Sequence, residues 1–491
     1  MSAAYETKVY EGLNIIGPNR VAASSNRAFE QRDPAKLSEV NGVFADSNEA
    51  DVAAAIAAAE SAFPTWRALS PLTRKKYLDD ALRRMIARRD EIAATITREN
   101  GKTLREAKGE VDSAIREMDF QIAEGLRICG QTVPVETEGT LAYSVRVPLG
   151  VVGVITPWNF PFNVPCRKCT PALMAGNTAV FKPASLTPHT GLLYAELLTE
   201  TGLPSGVINC VTGSGRRVGS AIVGDPRIKA ISFTGSTAVG KSIQALAARH
   251  LTPTQLELGG KNPAIVMSDA DLELAVDEIM KGAFACSGQW CTSTSRVIVI
   301  EDIAEQLTEL LVAAIENLQV GRGDSESSDM GPVCGTQQRD DIVRYIEQGR
   351  REGARLRTGG MALAGKDYDD GCFIAPTLFD RVRPEMTIAQ EEIFGPVLVV
   401  IAVRSFDEAV AVANDIAYGL SSSIFTRDLK AALSYMELAE VGLAHVNLMS
   451  AHKEPQLPFG GVKDSGAGPP EAGSAGVEFF TEHKVCYVRY G

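Results

Sequence analysis

From Val151 onward the sequence alternates short apolar runs with longer stretches of helical spacing, and this alternation leaves few folds open. The runs at 151–155, 178–181, 207–211, 230–233 and 254–258 are too short for helices and read as strands. Strands separated by helix-length connections form right-handed βαβ units, so the fold class is α/β with a parallel sheet covered on both faces. A second series follows Lys261: a helix at 271–284, a strand at 296–300, a helix at 304–318, and further alternation to about Asn447. It predicts a second α/β domain, with a site between the two. Upstream, 48–63, 72–89 and 105–130 have helical spacing, so the first 130 residues read as mainly helical. Segments 139–147 and 484–490 have the length and β-branched content of strands.

At 491 residues the chain is long enough for about three domain-sized units. Its formal charge of −12 speaks against nucleic acid as a partner and against a polybasic membrane anchor. Residues 1–32 mix charges with short apolar pieces and hold no leader-like apolar core. No stretch approaches a membrane span, so a cytoplasmic protein is expected. Nine cysteines without framework spacing fit a reducing compartment. Cys166 and Cys169 have CxxC spacing, but no second Cys or His pair accompanies them, so no metal is expected.

One cysteine stands apart. Cys291 follows Ser287-Gly288-Gln289, a small polar turn after a helix-like run, which presents its thiol at an element junction. There it serves either as a nucleophile or as a small buried hydrophobe. Glu257 lies between two leucines before Gly259-Gly260, where a carboxylate is costly to bury; its pKa should rise and suit it to act as a base. Thr156-Pro157-Trp158-Asn159 leaves the first strand of the series as a proline-bracketed turn, in which Asn159 either caps the turn or donates to a developing oxyanion. Phe233-Thr234-Gly235-Ser236 ends a strand and opens a helix, where N–H groups and the helix dipole can hold a pyrophosphate.

These stretches, with Glu391-Glu392-Ile393-Phe394-Gly395-Pro396-Val397, resemble the aldehyde dehydrogenase superfamily over nearly the whole chain. The resemblance implies a Rossmann-like cofactor domain (1–130 and 148–259), a catalytic α/β domain (260–456) and β oligomerisation segments (131–147 and 474–491) that reach across a homodimer or homotetramer. It also implies oxidation of an aldehyde to a carboxylic acid with NADP or NAD. Cys291 would add as thiolate, Asn159 would hold the oxyanion, hydride would leave for the nicotinamide, and Glu257 would activate the water that hydrolyses the thioester. Coenzyme A-dependent relatives generally lack this glutamate. On the cofactor side the resemblance implies Lys182 at the adenosine ribose, Gly235 and Ser236 at the pyrophosphate, Glu392 at the nicotinamide ribose and Phe394 beside the nicotinamide. Thr156, Trp158, Ser185 and Gly240 complete that set. Relatives that favour NAD carry a glutamate where this chain has Ser185, which removes a repulsion toward a 2′-phosphate. With Arg216 and Arg217 nearby in sequence, NADP is expected to be accepted.

Arg167 falls where semialdehyde dehydrogenases of the family grip a carboxylate tail; the alternative is a pair with a structural acid. A guanidinium suits a carboxylate or sulfonate because it binds in bidentate fashion. The second arginine those enzymes often carry near the cysteine is Ala285 here, and the usual asparagine is Cys286. His452 and Lys453 either make up that charge or lie on the surface, the latter being preferred for Lys453. Phe162, Trp290 and Phe459 are expected to line the tunnel, with Trp290 narrowing it. The stretch around Glu471 departs from the family's usual Gly-Arg-Glu, so Glu471 is left outside the catalytic set. The expected substrate is a small aldehyde with an anionic tail, of the succinate semialdehyde, 2-oxoglutarate semialdehyde or sulfonated type; a neutral aliphatic or aromatic aldehyde is the alternative. A cysteine hydrolase pairing Cys291 with His452 would have no use for Lys182, Ser236 or Glu392. A non-catalytic scaffold would have none for Cys291, Glu257 and Asn159 together.

Overall fold

The computed structural model describes residues 9–491, and the part of the leader reading that falls on residues 1–8 lies outside them. Two large sheets carry the chain. The first has eight strands in the order Gly466–Ala467, Thr254–Glu257, Ile228–Thr234, Val151–Ile155, Thr178–Lys182, Ile208–Cys210, Asn14–Ile16, Asn19–Val21. Its five middle strands are parallel and its edges antiparallel. Every residue of Val151–Ile155 and Thr178–Lys182 is buried, as a strand covered on both faces requires. The covering helices meet it in a core that includes Trp66, Phe181 and Tyr194.

The second sheet has seven strands in the order Arg355–Thr358, Thr377–Asp380, Val397–Val403, Thr294–Ile300, Asn262–Val266, Ser421–Phe425, Leu443–Val446, all parallel but the first. It opens with Asn262–Val266, a strand that sequence reading passes over because it follows the Gly259-Gly260 turn directly.

Among the described residues the stretch up to 130 is mainly helical, as expected, but its helices begin only at Glu49. Five strands, Tyr10–Gly12, Asn14–Ile16, Asn19–Val21, Ala28–Asp33 and Lys36–Ala45, precede the helices Glu49–Ala68, Pro71–Ala87, Arg89–Asn100 and Leu104–Glu124. Three of those strands are only three residues long, too short for a local periodicity, and Ile15 takes its partner Cys210 from far along the chain, while Ala28–Asp33 and Lys36–Ala45 form a hairpin. The helices announce themselves better, two of them through capping boxes at Asn48 with Asp51 and Thr103 with Glu106. Near the other end, Thr481–Arg489 pairs antiparallel with Thr140–Pro148, which also pairs with Thr132–Val133, in a separate three-stranded sheet.

Candidate active site

From Val151–Ile155 the chain steps outward through Thr178–Lys182 to Ile208–Cys210, then returns to the other side with Ile228–Thr234 and Thr254–Glu257. The carboxyl ends of Val151–Ile155 and Ile228–Thr234 therefore flank a topological switch point, where open α/β sheets bind ligands. Asn159 follows the first of these strands, Gly235 and Ser236 the second, and Glu257 closes the next.

Cys291 arrives from the second sheet on an unusual turn. Cys286, Ser287 and Gly288 adopt φ of 52°, 56° and 68°, three consecutive left-handed residues of which two carry side chains. Such backbone persists only where its surroundings hold it. Here the Cys286 N–H donates to Glu106 Oε1 (2.7 Å), Ser287 Oγ to the Gly331 carbonyl (2.8 Å), and the Cys334 N–H to Gln289 Oε1 (2.8 Å). Asn262 Nδ2 then donates to the carbonyls of Cys291 and Ser293, 2.8 Å each, fixing the residue that follows the turn. Asn159 is buried beside it. Its Nδ2 donates to the Gln289 carbonyl (3.1 Å), and its own carbonyl accepts from Lys102 Nζ (2.6 Å), an ammonium paired in turn with Glu110 Oε2 at 2.8 Å. One hydrogen of the Asn159 amide is left uncommitted.

Around the thiol, burial dominates the electrostatics. It pushes Cys291 up to about 12, with Glu257 adding to the rise and Arg167 opposing it. Glu257 is raised well above the usual carboxylate range by burial and then by Glu471, against the pull of Lys168 and Arg167, and its Oε2 has no hydrogen-bond partner. The shift has the direction expected of this carboxylate from the sequence. Two neighbours of Glu257 were not assigned from sequence: Lys168, fully buried, donates to Ser232 Oγ (3.0 Å) and pairs with Glu471. Glu471 is brought in by a backbone bridge with Phe459, each N–H donating to the other's carbonyl at 2.7 Å. The Pro469-Pro470-Glu471 sequence contains no signal for a pairing that depends on strands so far apart.

A cavity of about 550 Å³ leads to Cys291, lined by Asn159, Phe160, Val164, Arg167, Glu257, Trp290, Lys453, Phe459 and Glu471 among others. Arg167 is buried on its wall. Its Nη2 donates to Asn163 Oδ1 (3.0 Å), its Nε and Nη1 lie 3.6 and 3.7 Å from Glu117 and Glu471, and its Nε makes no hydrogen bond. Arg167 thus lies close to two acids and also faces the cavity. Trp290, tilted against Phe160 at 5.1 Å, and Phe459, under the Arg167 guanidinium at 4.6 Å, line the cavity as expected, and His452 stands exposed at its rim.

Two expectations fail here. Phe162 does not line the cavity: it is fully buried, edge-on to Tyr194 at 5.8 Å, because Asn163, Val164 and Arg167 take the cavity face of helix Asn163–Met174 and Phe162 enters on its core side. Lys453 is not a surface charge. It turns inward over Phe459 and toward Glu117, and burial pulls it down to about 8.

On the other side of Cys291 a second cavity, about 200 Å³, is lined by Trp158, Asn159, Gly235, Ser236, Gly259, Glu392 and Phe394. Its donors suit a nicotinamide dinucleotide. Ser236 caps an eleven-residue helix, Thr237–Ala247, with its own hydroxyl unengaged, leaving a helix N-terminus open to a pyrophosphate. Thr156 Oγ1 is buried without a partner. Glu392 is held against Gly259, where any Cβ would overlap its carboxylate, and accepts from the Gly260 N–H (2.9 Å); burial pushes it up to about 7. Phe394, at φ 56°, meets Trp158 edge-on at 5.4 Å. Lys182 is buried, donates to the Pro183 carbonyl (2.8 Å) and is lowered to about 8, while Ser185 Oγ donates to the Gly213 carbonyl (2.7 Å). The Gly235 N–H is spent on the Glu257 carbonyl (3.0 Å), and Gly240 is buried against Leu258, a close helix–strand contact outside the crevice. Arg217 pairs with Asp46, leaving Arg216 exposed on that turn.

A model of the aldehyde dehydrogenase family matches residues 21–486. The chain is 43% identical over 489 residues to the alpha-ketoglutaric semialdehyde dehydrogenase of Bacillus subtilis (strain 168), with 100% of each chain covered. It superposes with a TM-score of 0.94 on an NAD+ complex of an aldehyde dehydrogenase from Bacillus cereus, at 35% identity over 98% of this chain and 97% of that one. An E. coli NADP-dependent enzyme superposes with a TM-score of 0.94 at 33% identity, covering 98% of both chains.

Proposed function

The chain belongs to the aldehyde dehydrogenase family, and from that premise we propose that it oxidises 2-oxoglutarate semialdehyde to 2-oxoglutarate with NADP or NAD, through an acyl intermediate on Cys291. The observation that carries the substrate is Arg167: a buried guanidinium, one N–H unbonded, facing the same cavity as the thiol.

In this reading the Cys291 thiolate adds to the aldehyde carbon, and the carbonyl electron pair moves to oxygen. The free hydrogen of the Asn159 amide and the Cys291 N–H hold that oxyanion. Ser236, Glu392, Phe394 and Lys182 would hold a nicotinamide dinucleotide, which would supply the hydride acceptor when bound. Collapse of the oxyanion leaves a thioester on Cys291. Glu257, its proton affinity raised by burial, then takes a proton from water; the oxygen attacks the thioester carbon and the thiolate departs. Lys168 and Glu471 hold the charge around Glu257 without touching the substrate.

The same reading divides the chain into a cofactor domain (1–130 and 148–259) and a catalytic domain (260–456), and takes the protein as a cytoplasmic homodimer or homotetramer. Nine free cysteines support the compartment, as does the lack, among the described residues, of any helix long and apolar enough to cross a membrane. Exposed Val485, Tyr487 and Val488 on Thr481–Arg489, with Tyr490 directly after it, support the assembly.

The test is a comparison of kcat/KM for 2-oxoglutarate semialdehyde, succinate semialdehyde, hexanal and benzaldehyde with each cofactor. The anionic aldehydes should lead by at least about tenfold, the discrimination a buried guanidinium–carboxylate contact supports. A lead for hexanal or benzaldehyde would make Arg167 a structural residue.

A further inference from the structure

We propose that Lys453, jointly with Arg167, selects aldehydes whose far end carries a single negative charge, the two cations taking that charge across the face of Phe459. This rests on the anionic-tail reading above and names the residue that sharpens it.

Lys453 Nζ and Arg167 Nε stand 3.6 Å from the same atom, Glu117 Oε2. Both cations also lie over the Phe459 ring, at 4.6 Å for Arg167 and 5.9 Å for Lys453. Two cations thus share one carboxylate oxygen, and neither reaches it at hydrogen-bond distance.

The surrounding charges do not restore the balance. Lys168 and Glu471 pair with each other, as do Lys102 and Glu110, while Glu106 accepts the Cys286 N–H. Glu257 and Cys291 are both displaced toward their protonated, neutral forms. At the rim stand Arg116, exposed, and His452, 3.8 Å from Glu454. Beside Phe459 itself, Arg167 and Lys453 set two positive charges against the one on Glu117; Glu471 is drawn to Lys168 as well as Arg167, and Glu106 keeps its negative charge at the Cys286 turn. A buried net charge is costly, and a substrate tail with one negative charge relieves that cost. A neutral tail leaves the charge in place, and a doubly charged tail reverses its sign. The lysine titrates where arginine does not: burial first, then Arg167, bring it down to about 8, against the opposing pull of Glu117. Its positive charge is present below that pH and lost above it.

The experiment measures the ratio of kcat/KM for 2-oxoglutarate semialdehyde to that for hexanal, on the intact enzyme with NADP, across the pH range that brackets about 8. Wild type, Lys453→Met and Lys453→Arg are compared. Any loss of folded enzyme cancels in the ratio. In wild type the ratio should fall by about tenfold as pH rises through the lysine's titration. Lys453→Met should start about tenfold or more lower and show no such step. Lys453→Arg should keep a high ratio and flatten the step, because its guanidinium stays charged. A step caused by Glu257 would survive in all three proteins. If Lys453→Met keeps both the ratio and its step, the assignment of Lys453 is wrong while Arg167 stands. If wild type already prefers hexanal, the anionic-tail reading itself falls.

Discussion

Burial, with Glu257 adding to it, raises the proton affinity of Cys291, and the cysteine acts from a thiol pushed up to about 12. The fraction of thiolate therefore grows about tenfold per pH unit through the neutral range, and ionised Glu257 grows with it. Both changes favour turnover, so kcat/KM should rise with pH. Glu257→Gln separates the two groups. Burial, the main cause of the raised thiol, stays in place in this variant, so the pre-steady-state burst of reduced cofactor should persist with a similar pH profile. Deacylation loses its base, and steady-state turnover should fall by about 10²–10⁴-fold. A stopped-flow trace decides: full steady-state activity would assign the base elsewhere, and loss of the burst would give Glu257 a part in acylation.

The turn Cys286–Ser287–Gly288 is where backbone geometry meets chemistry. Gly288 is left-handed, and a Cβ there would overlap the Gly395 carbonyl in the stretch that carries Glu392 and Phe394. Gly288→Ala should therefore cost about 1–3 kcal/mol of stability. Its effect on turnover should be larger, about hundredfold, because displacing the turn moves both Cys291 and the cofactor wall. Thermal unfolding set beside kcat measures the two effects; near wild-type turnover would show that the turn tolerates the shift. Such features explain what a sequence does and does not disclose. Val151–Ile155 is legible because a short apolar run rich in β-branched residues, followed by a proline-bracketed turn, reads as a strand buried on both faces. Glu257 stands out because a carboxylate between leucines conflicts with bland packing, whereas Cys291, which packs readily as a small hydrophobe, stands out only through the family resemblance. Phe162 and Lys453 were misplaced because the face each presents depends on partners elsewhere, Tyr194 and Glu110 for one, Glu117 and Phe459 for the other. Lys168 and Glu471 went unassigned for the same reason: a buried ion pair between helix and loop leaves no local periodicity.

At the scale of the whole molecule, the sheet formed by Thr132–Val133, Thr140–Pro148 and Thr481–Arg489 stands apart from both large sheets. Thr481–Arg489 runs in register with Thr140–Pro148 from Thr481 opposite Pro148 to Arg489 opposite Thr140. Val133, Leu141, Val485, Tyr487 and Val488 are all exposed on it, as is Tyr490 directly after it. A three-stranded sheet needs a packed face to be stable, and so much apolar surface on a ribbon calls for a covering partner. A second copy of the chain satisfies both, since an isologous contact covers the same patch on each subunit. The double replacement Val485→Asp, Tyr487→Asp keeps the backbone ladder and charges that surface. Sedimentation equilibrium should then show a smaller species than wild type, with a lower thermal midpoint because assembly stabilises each subunit by mass action. The site itself is built within one chain, so activity per folded subunit should fall less than the assembly does. A wild-type chain that sediments as a monomer, or a double variant with unchanged mass, would remove the arm from the assembly and leave its exposed apolar surface to some other partner.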